Sequence, residues 1–253
     1  MILNAQTTGA GDPVVLLHGL FGAASNLGAV ARRLSTTHRV ISLDLRNHGA
    51  SPHAATMRYV EMAQDVAETL AAMTVPAVAV AGHSMGGKVA MRLALDRPDM
   101  VSRVAVLDIA PAAYDARFRG FATAMQHLPL SPGLTRAQAD AALAPAVTEP
   151  GVRAFLLQNL RFGQQPEWRI GLDEIAASLP LIEGWSDEPG QPPFTGPALF
   201  LSGARSDYVT EAHRPAIRRL FPAARFVRVR DAGHWVHADA PQAVADTLAA
   251  FLG

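Results

Sequence analysis

The sequence predicts an α/β fold built on a mostly parallel sheet. Six short apolar runs, each closed by a glycine or an aspartate, alternate with stretches of helical periodicity. The runs are residues 13–18 (PVVLLH), 39–43 (RVISL), 77–81 (AVAVA), 103–107 (RVAVL), 197–202 (PALFLS) and 225–230 (RFVRVR). Most lack a polar face, as strands covered on both sides require. Helical patterns fall at 25–34, after a Ser/Asn start, at 57–73, at 84–96, where Pro98 stops it, at 210–220 and at 241–252. Strand–helix alternation of this kind builds parallel sheets with helices on both faces.

One region breaks the rhythm. Residues 112–195 contain no convincing buried strand. They read as helices at 118–127, 136–144, 151–161 and 170–178, punctuated by Pro129, Pro132, Pro150, Pro166 and Pro180 and ending in the loop-like EGWSDEPGQPPFTGP. Both ends return to the same sheet. The expected division is therefore a core of 1–111 and 196–253 with a helical cap at 112–195. The cap's Phe118, Phe121, Met125, Leu128, Phe155, Leu156, Phe162 and Trp168 are expected to form mostly its own core, a minority lining a pocket.

Composition narrows the function classes. Of the 253 residues 49% are hydrophobic and 17% charged, so a globular core is expected. Lys+Arg and Asp+Glu both number 22, which argues against nucleic acid or an anionic membrane as the main partner. The chain has no cysteine, so disulfides, thiolate catalysis and cysteine metal sites are excluded. No signal-peptide pattern and no apolar run of about 18 residues is seen, which makes a cytoplasmic protein without a membrane span the expectation.

The informative stretch is GHSMGGKV at 82–89. As G-x-x-x-x-G-K it is most of a phosphate-binding loop with Lys88 as the phosphate lysine. That loop needs Ser or Thr after the lysine to hold Mg²⁺, and here the residue is Val89. It also follows the third recognisable strand rather than the first. As G-x-S-x-G it is a nucleophile elbow, and an apolar strand before it and a helix after it are the required context. Ser84 is then a nucleophile at the positive end of the helix that follows.

A serine nucleophile needs a base, and neutral imidazole is the usual one. In folds with this elbow the chain order is Ser, acid, His, with the His after the last strand. Of nine histidines only His234 and His237 lie there, and His234, directly after RFVRVR and Gly233, is the candidate base. His237 is expected to be structural or at the surface. The acid has two candidates. The common position, a few residues after PALFLS, is held by Ser206, with Asp207 one residue later. The other location is the end of RVAVLD, where Asp108 points from the carboxyl edge of a strand. Asp108 is preferred and Asp207 is the alternative, with Ser206 as a supporting hydrogen-bond partner. The oxyanion donors are expected to be the backbone N–H groups of Met85, after the nucleophile, and Leu20, in HGLFGAASN. Phe21 and Trp235 are candidate substrate contacts, and His18 is expected to be a loop anchor.

Taken together, LLHGLFGAASN, SLDLRNHGASP, AGHSMGGKVAMRLAL, VLDIAPAAY and AGHWVHADAP resemble the α/β-hydrolase superfamily and, more narrowly, the YbfF-like esterases. The likeness runs over nearly the whole chain and is weakest at 112–195. It implies an α/β-hydrolase fold with a small helical cap, a serine esterase activity and no cofactor. It also favours Asp108, because that group resembles this sequence in placing Ser where the usual acid stands. The presence of Asp207 beside Ser206 is a departure. Asp44, Arg46 and Asn47 are expected to be architectural, with a buried Asp–Arg pair locking the loop.

The expected function is hydrolysis of a small or medium acyl ester or thioester through an acyl-enzyme. The same constellation also serves carbon–carbon bond hydrolysis, aminopeptidase action and cofactor-free perhydrolysis. A non-catalytic ligand receptor on this fold is the rival from another class.

Overall fold

The computed structural model describes residues 1–187 and 190–253. Residues 188 and 189, inside the predicted Pro/Gly-rich loop, lie outside the described residues. The sheet has seven strands: β1 (Ala5–Thr8), β2 (Pro13–Leu17), β3 (Arg39–Leu43), β4 (Val78–His83), β5 (Val101–Leu107), and two late strands, Ala198–Gly203 and Ala224–Val229. With the late pair numbered β8 and β9, the order is β1-β3-β2-β4-β5-β8-β9. Every pairing is parallel except β1 with β3. The six predicted strands are all present to within two residues. The seventh, β1, was not legible, because AQTT is polar and forms a mostly exposed antiparallel edge.

Two apolar layers cover the sheet. On one face pack α2 (Tyr59–Ala72) and α3 (Met85–Asp96), through Met62, Val66, Leu70, Val89 and Leu93. On the other face pack α1 (Gly28–Leu34) and α10 (Pro241–Leu252), through Val30, Leu34, Val244 and Leu248. Truncating one such leucine to alanine typically costs about 2–5 kcal/mol. Among the described residues no helix is long and apolar enough to cross a membrane.

Between β5 and β8 the chain leaves the sheet as α4 (Arg119–Gln126), α5 (Arg136–Leu143), α6 (Pro150–Leu156) and α7 (Leu172–Glu183). This insert is not purely helical. Leu160–Arg161 and Glu167–Trp168 pair as a short antiparallel ribbon, β6 and β7. The helix expected over 151–161 therefore stops at Leu156, passes through a short 3₁₀ turn and becomes β6. Helix α7 runs through Pro180, which was expected to break it. The proline forfeits one backbone hydrogen bond, but Leu179 and Ile182 on either side are buried and hold the helix together. Leu128, Ala139, Leu143, Leu157 and Leu160 form a small apolar cluster within the insert.

The chain starts at the edge strand β1, enters the sheet at β2, returns to β3 between them, and then crosses to the far side of β2 as β4, β5 and beyond. The strand order thus reverses between β2 and β4, where crevices open at the carboxyl edge of such sheets. The loops after β2, β4, β5, β8 and β9 all end at this edge.

Candidate active site

Ser84 sits between β4 and α3 with φ 51° and ψ −119°. A left-handed φ on a residue with a side chain costs about 1–3 kcal/mol, which the surrounding packing must sustain. The turn is possible because its flanks are glycine. A Cβ on Gly82 would lie 2.1 Å from the Gly86 carbonyl oxygen, and one on Gly86 would lie 2.4 Å from the carbonyl oxygens of Leu17 and His18. The motif therefore reflects backbone crowding under the serine.

His234 lies in the loop between β9 and the short helix α9 (Val236–Asp239). Its Nε2 is 3.1 Å from Ser84 Oγ and its Nδ1 is 2.8 Å from Asp108 Oδ2. An ionised carboxylate only accepts, so Nδ1 carries the hydrogen and Nε2 is left to accept from the serine hydroxyl. Asp108 follows β5, has a left-handed φ of 53° and is fully buried. Its Oδ1 accepts from the Gly203 N–H at 3.0 Å, and its Oδ2 also accepts from the Ser206 hydroxyl. Asp207 is turned away. It is exposed and gripped by both terminal nitrogens of Arg117 at 2.9 and 2.8 Å, which holds its carboxyl below the usual range. Ser206→Ala is expected to lower kcat about tenfold, the worth of one charge-assisted hydrogen bond, without abolishing turnover, as steady-state kinetics on an ester substrate would read.

The loop after β2 supplies the second side of the site. The N–H of Phe21 donates to His48 Nε2 at 3.1 Å, whereas among the described residues the Leu20 N–H meets no acceptor. Met85 opens α3, so its N–H has no partner within the helix. The two amides expected to hold an oxyanion are thus free to do so. His18 is a loop anchor: its Nε2 accepts from Leu45 N–H at 3.0 Å and its Nδ1–H donates to the Gly19 carbonyl. Asn159 of the insert donates to the Phe21 carbonyl at 2.7 Å and ties this loop to the insert.

The expected Asp44–Arg46 pair is corrected. Arg46 instead pairs with Asp65 of α2 at 2.6 and 2.9 Å and with Glu61 at 3.0 Å. Asp44 accepts from Asn4 Nδ2 and from the Ala24 and Ala50 N–H groups. β3 ends at Leu43, and in the turn that follows Asp44 and Arg46 point to different partners, so the two-residue spacing does not bring them together. Both residues are architectural.

Three side chains of this site, Tyr208, His83 and Tyr114, were not singled out in the sequence, and a fourth, Lys88, was weighed there as a phosphate lysine. Tyr208 stacks on the His234 ring with centroids 3.8 Å apart, and the Arg117 guanidinium lies over the Tyr208 ring, 4.9 Å from its centre. His83 Nε2 donates to the His234 carbonyl at 2.9 Å. Tyr114 accepts from the Ala110 N–H and donates to the Tyr208 carbonyl. The fourth is Lys88, read as first-turn helix but fully buried. Its ammonium donates to the carbonyls of Ile182, Glu183 and Gly184 at 3.4, 3.2 and 2.6 Å and sits 4.9 Å from the Tyr114 ring centre. It thereby fastens the carboxyl end of α7 to the core, where a cation complements the helix dipole.

Desolvation pushes Lys88 from its ordinary 10.5 down to about 7. The unfolded chain then holds a proton that the folded chain sheds between about pH 7 and 10.5, so this contribution to stability grows as pH rises through that window. Urea unfolding of wild type and Lys88→Met at pH 6.5 and 9.5 is expected to show wild type gaining on the variant at the higher pH, by up to ~1.4 kcal/mol per pH unit. Equal differences at both values would contradict it.

A pocket of about 460 Å³ opens above Ser84 and His234, lined by Phe21, Phe121, Val152, Phe155, Leu156 and Trp235 among others. Phe21 and Trp235 are therefore both at the pocket. His237, expected to be structural or at the surface, is also part of its wall and is buried.

A serine, an imidazole and a buried carboxylate in one hydrogen-bonded line, at the carboxyl edge of a parallel sheet and behind an elbow, define a hydrolase of the α/β class. Residues 12–241 match the α/β-hydrolase-fold family, and the chain belongs to it. Among its relatives, esterase YbfF of Escherichia coli is 39% identical over 250 residues, covering 98% of this chain and 96% of that one. The sn-1-specific diacylglycerol lipase ABHD11 of Mus musculus is 41% identical over 248 residues, covering 94% and 80%. A solved structure described as a marine microorganism esterase superposes with a TM-score of 0.95 at 34% identity, covering 99% of both chains.

Proposed function

We propose that this chain is a carboxylester hydrolase that works through an acyl-enzyme on Ser84. The observation that carries it is the continuous hydrogen-bonded line Ser84–His234–Asp108 at the floor of a largely apolar pocket. His234 Nε2 takes the Ser84 proton as Oγ attacks the ester or thioester carbonyl. The N–H groups of Leu20 and Met85 hold the oxyanion, a kind of contribution worth about 3–4 kcal/mol per donor. Asp108 keeps Nδ1 protonated and stabilises the imidazolium, while Ser206 keeps Asp108 in place. The imidazolium returns its proton to the leaving alcohol or thiol, and water repeats the cycle on the acyl-enzyme. Residues 112–195 act as a cap that roofs the pocket, with the remainder as the hydrolase core. The names of the two relatives, an esterase and a lipase, support ester substrates.

Hydrolysis of p-nitrophenyl esters of rising chain length tests the proposal. Turnover by wild type with saturation kinetics is the expected outcome. Failure to cleave any member of the series would bring forward the non-catalytic reading or another reaction of the same residues.

A further inference from the structure

Two spaces meet at Ser84, and they differ in which catalytic groups they contain. The larger, about 460 Å³, has His234 in its wall together with the half-buried aromatic residues Phe121, Phe155 and Trp235. Next to it a surface groove of about 770 Å³ shares Val152, Phe155, Trp235 and His237 with it. The smaller, about 300 Å³, runs the other way and lacks His234. It is bounded by Leu20 and Met85, the residues offering oxyanion amides, and by Ile109, Tyr114, Phe118 and Ile182. Lys88 is part of its wall, with its ammonium already committed to three carbonyls.

The chemistry proposed above decides which half of an ester goes where. When the tetrahedral intermediate collapses, the bond from carbon to the leaving oxygen breaks and that oxygen takes the proton from His234 Nε2. The leaving oxygen must therefore lie within hydrogen-bond reach of His234, on the side of the larger space. The acyl carbon remains on Ser84 Oγ with its former carbonyl oxygen toward Leu20 and Met85, so the acyl chain extends to the side away from the imidazole. Resting on that esterase reading, we infer that the smaller chamber is the acyl subsite and the larger pocket the leaving-group subsite. The substrate class is then an ester of a short, uncharged acid with a bulky apolar alcohol.

The chamber walls define the acyl end. Met85, Ile109 and Ile182 are buried and apolar. The Tyr114 hydroxyl is spent on the Ala110 N–H and the Tyr208 carbonyl, and Glu183, the acidic residue of the wall, accepts from the Phe118 N–H and disfavours a second carboxylate. Lys88 and the last turn of α7 wall the chamber, and the Lys88 and Tyr59 hydrogen bonds to the Ile182 carbonyl hold that wall in place as a stop. The leaving-group side has no such stop, since Phe155 and Trp235 border both the pocket and the groove outside it.

Two ester series measured on the full chain separate the halves. One varies the acid (acetate, butyrate, hexanoate, decanoate) on a fixed alcohol. The other varies the alcohol (methyl, butyl, octyl, naphthyl) on a fixed acetate. The expected result is kcat/KM that drops steeply along the acid series past the short members, and rises along the alcohol series by up to roughly fourfold per buried methylene. Ile182→Ala, with Ile109→Ala as a second variant should the first fold poorly, is expected to move the acid cutoff to longer chains and leave the alcohol series unmoved. Phe155→Ala is expected to flatten the alcohol series only. The reverse pattern, with long acids preferred and their tolerance changed by Phe155→Ala, would overturn the subsite assignment while leaving the esterase intact. If wild type cleaves no member of either series, the esterase reading itself fails and the assignment with it.

Discussion

Ser84→Ala should lower kcat on any ester that wild type cleaves by about 10⁴- to 10⁶-fold while leaving the protein folded. The size follows from the arrangement. Without Oγ no acyl-enzyme forms, and His234 Nε2 faces an empty position instead of a nucleophile at 3.1 Å. What rate remains comes from the free amides of Leu20 and Met85 and from binding in the pocket. The fold should survive because, among the described residues, Ser84 Oγ hydrogen-bonds only to His234, so no buried partner elsewhere loses a hydrogen bond. Circular dichroism and a thermal melt close to wild type, with activity lost, are the expected pair of readings. A variant retaining a tenth of wild-type activity would mean that Ser84 is not the nucleophile.

The second large effect separates the two carboxylates. Asp108→Asn is expected to lower kcat by about 10⁴-fold, because an amide NH₂ facing His234 Nδ1 would force the proton to Nε2, the nitrogen that must accept from serine. The same substitution leaves Oδ1 in place to accept from Gly203 N–H, so the loss should fall on turnover more than on stability. Asp207→Asn is expected to change kcat by no more than a few-fold. Its carboxylate is 66% exposed and bound to Arg117, and such surface pairs are worth about 0–1 kcal/mol. Its remaining link to the reaction is indirect, through Arg117 over Tyr208 and Tyr208 stacked on the imidazole. Kinetics of the two variants side by side decide the assignment; a crippled Asp207→Asn with an active Asp108→Asn would reverse it.

Much of this was legible in the sequence because the physics is local. The six strands announce themselves as short apolar runs, and Gly82 and Gly86 are forced by a turn too tight for side chains at their positions. The order of Ser84 and His234 along the chain follows from the strand order. Spacing ranked the two acid candidates, by placing Ser206 rather than Asp207 at the common position, but did not decide between them, since both follow strand ends at the same edge. What distinguishes them is that the chain at Asp108 folds back with a left-handed φ and buries the carboxylate, whereas Asp207 opens outward to Arg117. The ribbon β6–β7 and the edge strand β1 were missed because two and four residues carry too little pattern. The role of Lys88 was not legible because a lysine in a first helical turn is ordinarily solvated; only the arrival of the end of α7, some 95 residues later, buries it. Tyr208 was missed for the same reason, as its partner His234 lies 26 positions further along.

The central claim is that Ser84, activated by His234, forms the covalent intermediate. Treatment with a serine-reactive phosphonate, followed by intact mass and peptide mapping, tests it most directly. One adduct per chain on the peptide carrying Ser84 is expected, much slower in His234→Ala and near wild-type speed in Asp207→Asn. No adduct, or an adduct on another residue with Ser84 unmodified, would contradict it.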